Sequence, residues 1–177
     1  TLFRSDLIKM DSCVGEIMCG AAFKELCIRR SWTLVKYLAS NDFLQPQSEH
    51  HNYSYKFGLN QIPEDEVKLD PKNECSGGGL YFAYIGSHKW VKKYWFAVTI
   101  PDDAQVLFES SKKFKTDKLI ILKEICPTEN MWVDVVKEFP LYIKYIEKQT
   151  EKICLSAVLV PSVPDQPNQF PFISENG

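Results

Sequence analysis

The chain has 177 residues, 45% hydrophobic and 13% aromatic, which is enough to bury one sizeable core. Its 21 Lys and Arg against 23 Asp and Glu leave a formal net charge of −2, so it carries no global electrostatic footprint for nucleic acid or an anionic membrane. No apolar run approaches the ~20 residues needed to span a bilayer, and the N-terminus lacks a basic segment followed by an apolar one. We therefore expect no nucleic-acid partner, no membrane segment and no secretion. The chain opens on Thr1 rather than Met, so further N-terminal sequence is expected to have been removed or to be missing.

Taken in order, residues 1–42 read as a helical hairpin. Cys19, Ala22, Phe23, Leu26 and Cys27 lie on one helix face, and Leu34, Val35 and Leu38 repeat the spacing after Ser31, a candidate N-cap. Residues 43–52 are loop-like, with Pro46 and the pair His50-His51. Adjacent histidines on extended chain point to opposite faces, and no cysteine stands at ligand spacing, so no metal site is expected. Either histidine can still enter a site through tertiary proximity. Tyr53, Tyr55 and Phe57 alternate with polar residues as a strand does, and the acidic, proline-containing stretch 60–73 reads as an exposed loop.

The most site-like stretch follows: Cys75-Ser76-Gly77-Gly78-Gly79-Leu80-Tyr81-Phe82. Three glycines running into a strand need either unusual dihedrals or a close backbone approach. They are not a phosphate loop by pattern, because neither a Walker lysine nor a complete GxGxxG leading into a helix is present. Tyr94–Ile100, Ala104–Phe108 and Leu119–Leu122 read as further strands, and Lys112, Lys113 and Lys115 between them as a solvated turn or edge-strand protection, and secondarily as an anion-binding patch.

After Pro127 the period changes to near 3.6. Trp132, Val135, Val136 and Phe139 form one helix face, Leu141, Tyr142, Tyr145 and Ile146 a second that starts at Pro140, and Thr150 caps a third. Pro161, Pro164 and Pro167 then keep a three-residue register suited to polyproline II, an extended strap or a disordered end. The six cysteines are irregularly spaced, without CxxC, and read as reduced thiols. The whole is an α+β chain: N-terminal helices, a central, mainly antiparallel sheet over 53–125, C-terminal helices over 128–158 and a proline-rich tail over 159–177, forming one compact unit.

Four stretches in order, YKFGLN (55–60), CSGGGLYF (75–82), TIPDDAQV (99–106) and KFKTDKLII (113–121), resemble a domain found in uncharacterised proteins of giant DNA viruses of amoebae, the mimivirus and marseillevirus types. The run from Trp132 to Val158 is similar to the helical repeats that follow that domain, with about one and a half units. The resemblance implies a viral origin and a place in the host-cell cytoplasm or the virion. It implies no established activity, and the expected partner is a viral or host protein, or a second copy of the chain.

Gly77 to Ala83 also resembles the GxGIYFA stretch of poly(ADP-ribose) polymerases. That resemblance implies NAD as cofactor, Tyr81 stacking on nicotinamide beside Gly77 and Gly79, and Asp117 at the place of the catalytic glutamate. No His-Gly pair opens the first strand, so the histidine would have to be replaced or supplied by His50 or His51. An aspartate holds its carboxylate one methylene further back than a glutamate. A shared strand arrangement without activity is the reading adopted from these residues, so no catalytic residue and no cofactor is assigned outright.

Overall fold

The computed structural model describes residues 13–39, 53–72, 77–87, 91–110 and 112–159. Among these residues eight strands form one sheet: β1 (Ile17–Cys19), β2 (Leu34–Leu38), β3 (Gly58–Gln61), β4 (Leu80–Tyr84), β5 (Tyr94–Thr99), β6 (Gln105–Ser110), β7 (Lys113–Thr116) and β8 (Lys118–Ile125). Their order is β1-β6-β7-β4-β2-β5-β8-β3, and each neighbouring pair is antiparallel. Three α-helices among the described residues accompany the sheet: α1 (Gly20–Arg30), α2 (Glu129–Glu138) and α3 (Glu151–Val158). The fold is α+β with an antiparallel sheet, as the sequence patterning predicts.

Alternation of side chains across the strands divides the core into two layers. On one face Phe23, Leu26 and Cys27 of α1 pack with Leu34, Leu38, Leu80, Phe82, Phe96, Phe108 and Phe114. On the other, Val35, Ala83, Val91 and Trp95 meet Val135 of α2, with Met131 and Trp132 beside them. A smaller cluster of Val133, Val136, Ile146 and Ile153 ties α3 to α2.

The helix placement needs correction at the N-terminus. Ser31 ends α1 rather than starting a second helix: it adopts φ 53°, and its N–H and that of Trp32 close the last turn onto Ile28 and Cys27 carbonyls. Leu34–Leu38 is then β2, a strand with apolar side chains on both faces, which mimics a helical stripe in sequence. Among the described residues the sheet thus begins at Ile17, well before residue 53.

Tyr53 to Phe57 is not a strand. The Asn60 side chain accepts from Lys56 N–H at 2.9 Å and donates to Lys56 carbonyl at 2.7 Å, which bends the chain so that pairing starts only at Gly58. Lys113 and Lys115 lie within β7 rather than in a turn. Pro140–Tyr145 makes a 3₁₀ helix instead of an α-helix, whereas α3 is capped as expected by Thr150, whose Oγ1 accepts from Ile153 N–H. The predicted proline-rich tail beyond Leu159, and His50 and His51, lie outside the described residues.

Candidate functional site

The glycine run enters β4 by threading between two neighbours. Gly78 has φ +77°, and a Cβ there would stand 2.5 Å from the Glu66 carbonyl oxygen, so this position requires glycine on both counts. Gly79 is needed for space: a Cβ would fall 2.6 Å from Cγ and Cε of Lys115. The Lys115 stem lies over that gap, its side chain is fully buried, and its Nζ donates to Gly77 carbonyl at 3.0 Å. The Gly78 carbonyl accepts from Lys68 N–H at 2.8 Å. The run therefore turns carbonyls toward its partners, whereas a phosphate cradle needs converging N–H groups. An open depression of about 710 Å³ beside Gly77 and Gly78 is lined by Asp65, Glu66, Asp70, Lys68 and Leu69, a mostly acidic wall that repels phosphate.

Tyr81, on β4, is the centre of a group of lysines. Pairing of Tyr81 with Lys115 and of Ala83 with Lys113 puts both lysines beside its ring: Lys113 Nζ is 4.3 Å and Lys115 Nζ 5.5 Å from the centroid. Lys113 also pairs with the buried carboxylate of Glu109 at 2.8 Å. From the opposite side Lys36 Nζ donates to the Tyr81 carbonyl at 2.7 Å and lies 4.4 Å from the Tyr55 ring centroid. Burial foremost, and the Lys113 charge second, bring the Lys36 amine down to about 7. Burial raises the Tyr55 hydroxyl above its usual range, opposed by a hydrogen bond from the Tyr81 backbone.

Of the residues implied by the polymerase resemblance, Gly77, Gly79 and Tyr81 come together around Lys115. Asp117 stands at the turn between β7 and β8: its carboxylate accepts from Gln105 N–H at 2.7 Å and from the Thr116 hydroxyl at 3.4 Å, while its carbonyl accepts from Ile62 N–H at 2.9 Å. It ties the start of β6 to the turn between β7 and β8. His51 lies outside the described residues.

Sequence reasoning missed Lys36, Lys113, Lys115 and Glu109. The Lys-Phe-Lys-Thr alternation at 113–116 was the available signal for a strand whose lysines share one face.

Among the described residues no group of three or more His, Cys, Asp or Glu stands together as a metal site. Cys13, Cys19, Cys27, Cys126 and Cys154 are free thiols, and burial pushes Cys27 up to about 11, which suppresses its reactivity. No described helix is long and apolar enough to cross a membrane. No family model, no curated protein and no solved structure matches the chain. Function is therefore read from its own residues.

Proposed function

We propose that the chain is a non-enzymatic protein-interaction factor of a giant DNA virus of amoebae, acting in the host-cell cytoplasm or carried in the virion. The viral origin rests on the four ordered motifs. The interaction role rests on one observation: the C-terminal helices leave large apolar side chains in solvent. Leu155, Val158 and Leu159 are 50%, 79% and 75% exposed and follow one another at i, i+3 and i+4, so they form a stripe along α3. Leu141 and Tyr145 of the 3₁₀ helix, 67% and 48% exposed, add to the apolar surface of the same subdomain. The partner is a viral or host protein, and a second copy of the chain is the competing occupant.

A photo-crosslinking residue placed at Leu155 in infected amoebae tests this. We expect one dominant adduct that disappears in Val158→Glu, while stability changes by less than ~0.5 kcal/mol because the site is exposed. The same residue placed at Lys123 should give none. Equal labelling from both positions, or none from Leu155, overturns the reading. Light scattering on the purified chain separates a self-adduct from a foreign partner.

A second reading, an ADP-ribosyltransferase-like enzyme or an inactive NAD-binding relative, is favoured by the placement of Tyr81 within β4 next to Gly77 and Gly79. Calorimetry with NAD, wild type beside Tyr81→Ala, decides it. Heat lost in the variant supports this reading, and no heat in either protein sinks it.

A further inference from the structure

The C-terminal subdomain carries a groove that the apolar stripe on α3 does not use. It is an open hollow of about 610 Å³ between β5, the end of β8, α2, the 3₁₀ helix and the start of α3. Three aromatic side chains line it from three different elements: Tyr94 of β5, Trp132 of α2 and Tyr145 of the 3₁₀ helix. Pro127 and Ile153 add apolar surface. Trp132 stands edge-on to Trp95 at 5.0 Å, and the Tyr145 ring lies 5.6 Å from that of Tyr142, so packing within the fold already fixes these rings.

The charged groups at the rim largely answer one another. Lys93 faces Glu147 at 3.8 Å, and Glu129 accepts from the Thr150 hydroxyl at 2.6 Å and lies 3.9 Å from Lys152. Glu124 and Lys148, the other two, are of opposite sign. The groove therefore offers rings without a field of one sign, which disfavours a nucleic acid or a strongly charged peptide. It suits a proline-rich segment, because aromatic-lined grooves take polyproline II chains whose extended conformation costs little entropy to fix.

The chain carries such a segment close by. We propose that residues 161–173 fold back along α3 and lie in this groove as a strap, with prolines and Phe170 against Tyr94, Trp132 and Tyr145. In the three-residue turn of polyproline II, Pro161, Pro164, Pro167, Phe170 and Ile173 share one edge, and residues 160–177 contain Asp165 and Glu175 but no Lys or Arg. Length and position fit as well. Leu159, the last described residue, is about 9 Å along the helix from Ile153 at about 1.5 Å per residue. At about 3.1 Å per residue an extended chain covers that return in about three residues, which brings Pro164 and Pro167 to the rings. The tether holds the segment at a high effective concentration against any free peptide. Leu155, two residues on from Ile153, falls on the other side of α3, so the strap leaves the apolar stripe open and stands apart from the partner reading.

An aromatic photo-crosslinking residue in place of Tyr145, which is 48% exposed, tests the strap on the purified full chain. We expect its dominant adduct to map to residues 161–173 of the same molecule. The same probe at Ile17, on β1 at the far edge of the sheet, should give no dominant adduct with the tail. Pro164→Gly combined with Pro167→Gly loosens the segment and should cut the Tyr145 adduct on the order of tenfold. No tail adduct from Tyr145, equal labelling from Ile17, or a yield unmoved by the double variant overturns the proposal. An adduct joining two chains also overturns it and assigns the groove to a second copy. Should the probe disturb the fold, the unmodified chain decides: ¹⁵N heteronuclear NOE values at residues 165–172 close to those of α2 support the strap, and values near zero or below sink it.

Discussion

Beneath α1 the sheet meets almost only rings and aliphatic groups; beneath α2 it meets a mixture. On the first face Phe23 of α1 lies edge-on to Phe82, Phe108 and Phe114 with centroids 5.7, 5.6 and 5.0 Å away. On the second, Trp95 packs against Trp132 and Tyr37, each at 5.0 Å, but further along the same face lie Lys113 with Glu109, the buried Lys115 and Tyr81. The difference is in what holds each layer. Apolar burial, about 1.5–3 kcal/mol for each large side chain, dominates the first, so around the Phe23 rings its stability should respond to lost volume, while Lys36, between Leu34 and Leu38 and over the Tyr55 ring, is the titrating group at its margin. The second depends on pairing charged and polar groups, so it should respond to chemistry at constant volume.

The sharpest way to break the first layer is Phe114→Ala. Phe114 is fully buried and touches four other rings within 6 Å, those of Phe23, Phe82, Phe108 and Trp32. Truncation should lower the unfolding free energy by about 3–5 kcal/mol in chemical denaturation, with the same loss at pH 6 and 8. A loss below about 1 kcal/mol would mean the ring cluster is loosely packed and the contrast between faces is false.

Glu109→Gln asks the converse on the second layer. The substitution keeps the shape and removes the charge, which leaves the Lys113 ammonium facing a neutral amide. Breaking a fully buried pair costs about 3–5 kcal/mol, but Lys113 retains 17% of its side-chain exposure, so about 2 kcal/mol is expected. A loss that disappears in high salt would show that the pair behaves as a surface one.

The same contrast explains what could be read from the sequence. The helices α2 and α3 were legible because a 3.6-residue apolar period sets in after Pro127 and, for α3, follows the cap Thr150. Strands β5 and β8 were legible as alternating or continuous apolar runs. β2 was not, because Leu34, Val35 and Leu38 fit one helical stripe as well as two buried strand faces. Nor was β7, since its lysines read as solvated while the structure turns them toward Tyr81 and Glu109. At the site, the glycines and Tyr81 announce themselves by composition. Lys36 and Lys115 reach them from 45 and 38 residues away, a proximity only the strand order creates.

Thr128 tests whether α2 is held by its own cap or by the face it covers. Its Oγ1 accepts from Met131 N–H at 3.3 Å. Thr128→Ala should cost about 1 kcal/mol, the ordinary value for a lost N-cap. A much smaller loss would assign the helix's stability wholly to Val135, Val136 and Trp132.

Tyr37→Phe has the smallest expected effect and the opposite sign. The Tyr37 hydroxyl is buried and has no hydrogen-bond partner among the described residues, while its ring stands edge-on to Trp95. Burial also pushes its ionisation above the usual tyrosine range, in line with a phenol removed from water and unsatisfied. Phenylalanine keeps the ring contact and removes the desolvated oxygen, so stability should rise by about 0.5–1 kcal/mol. Equilibrium denaturation at unchanged m-value measures it. A gain means the second face tolerates one unpaired polar group as a standing penalty. A loss means the hydroxyl finds a partner in solution, and the layer beneath α2 is then paired throughout, the stronger form of the contrast with the rings beneath α1.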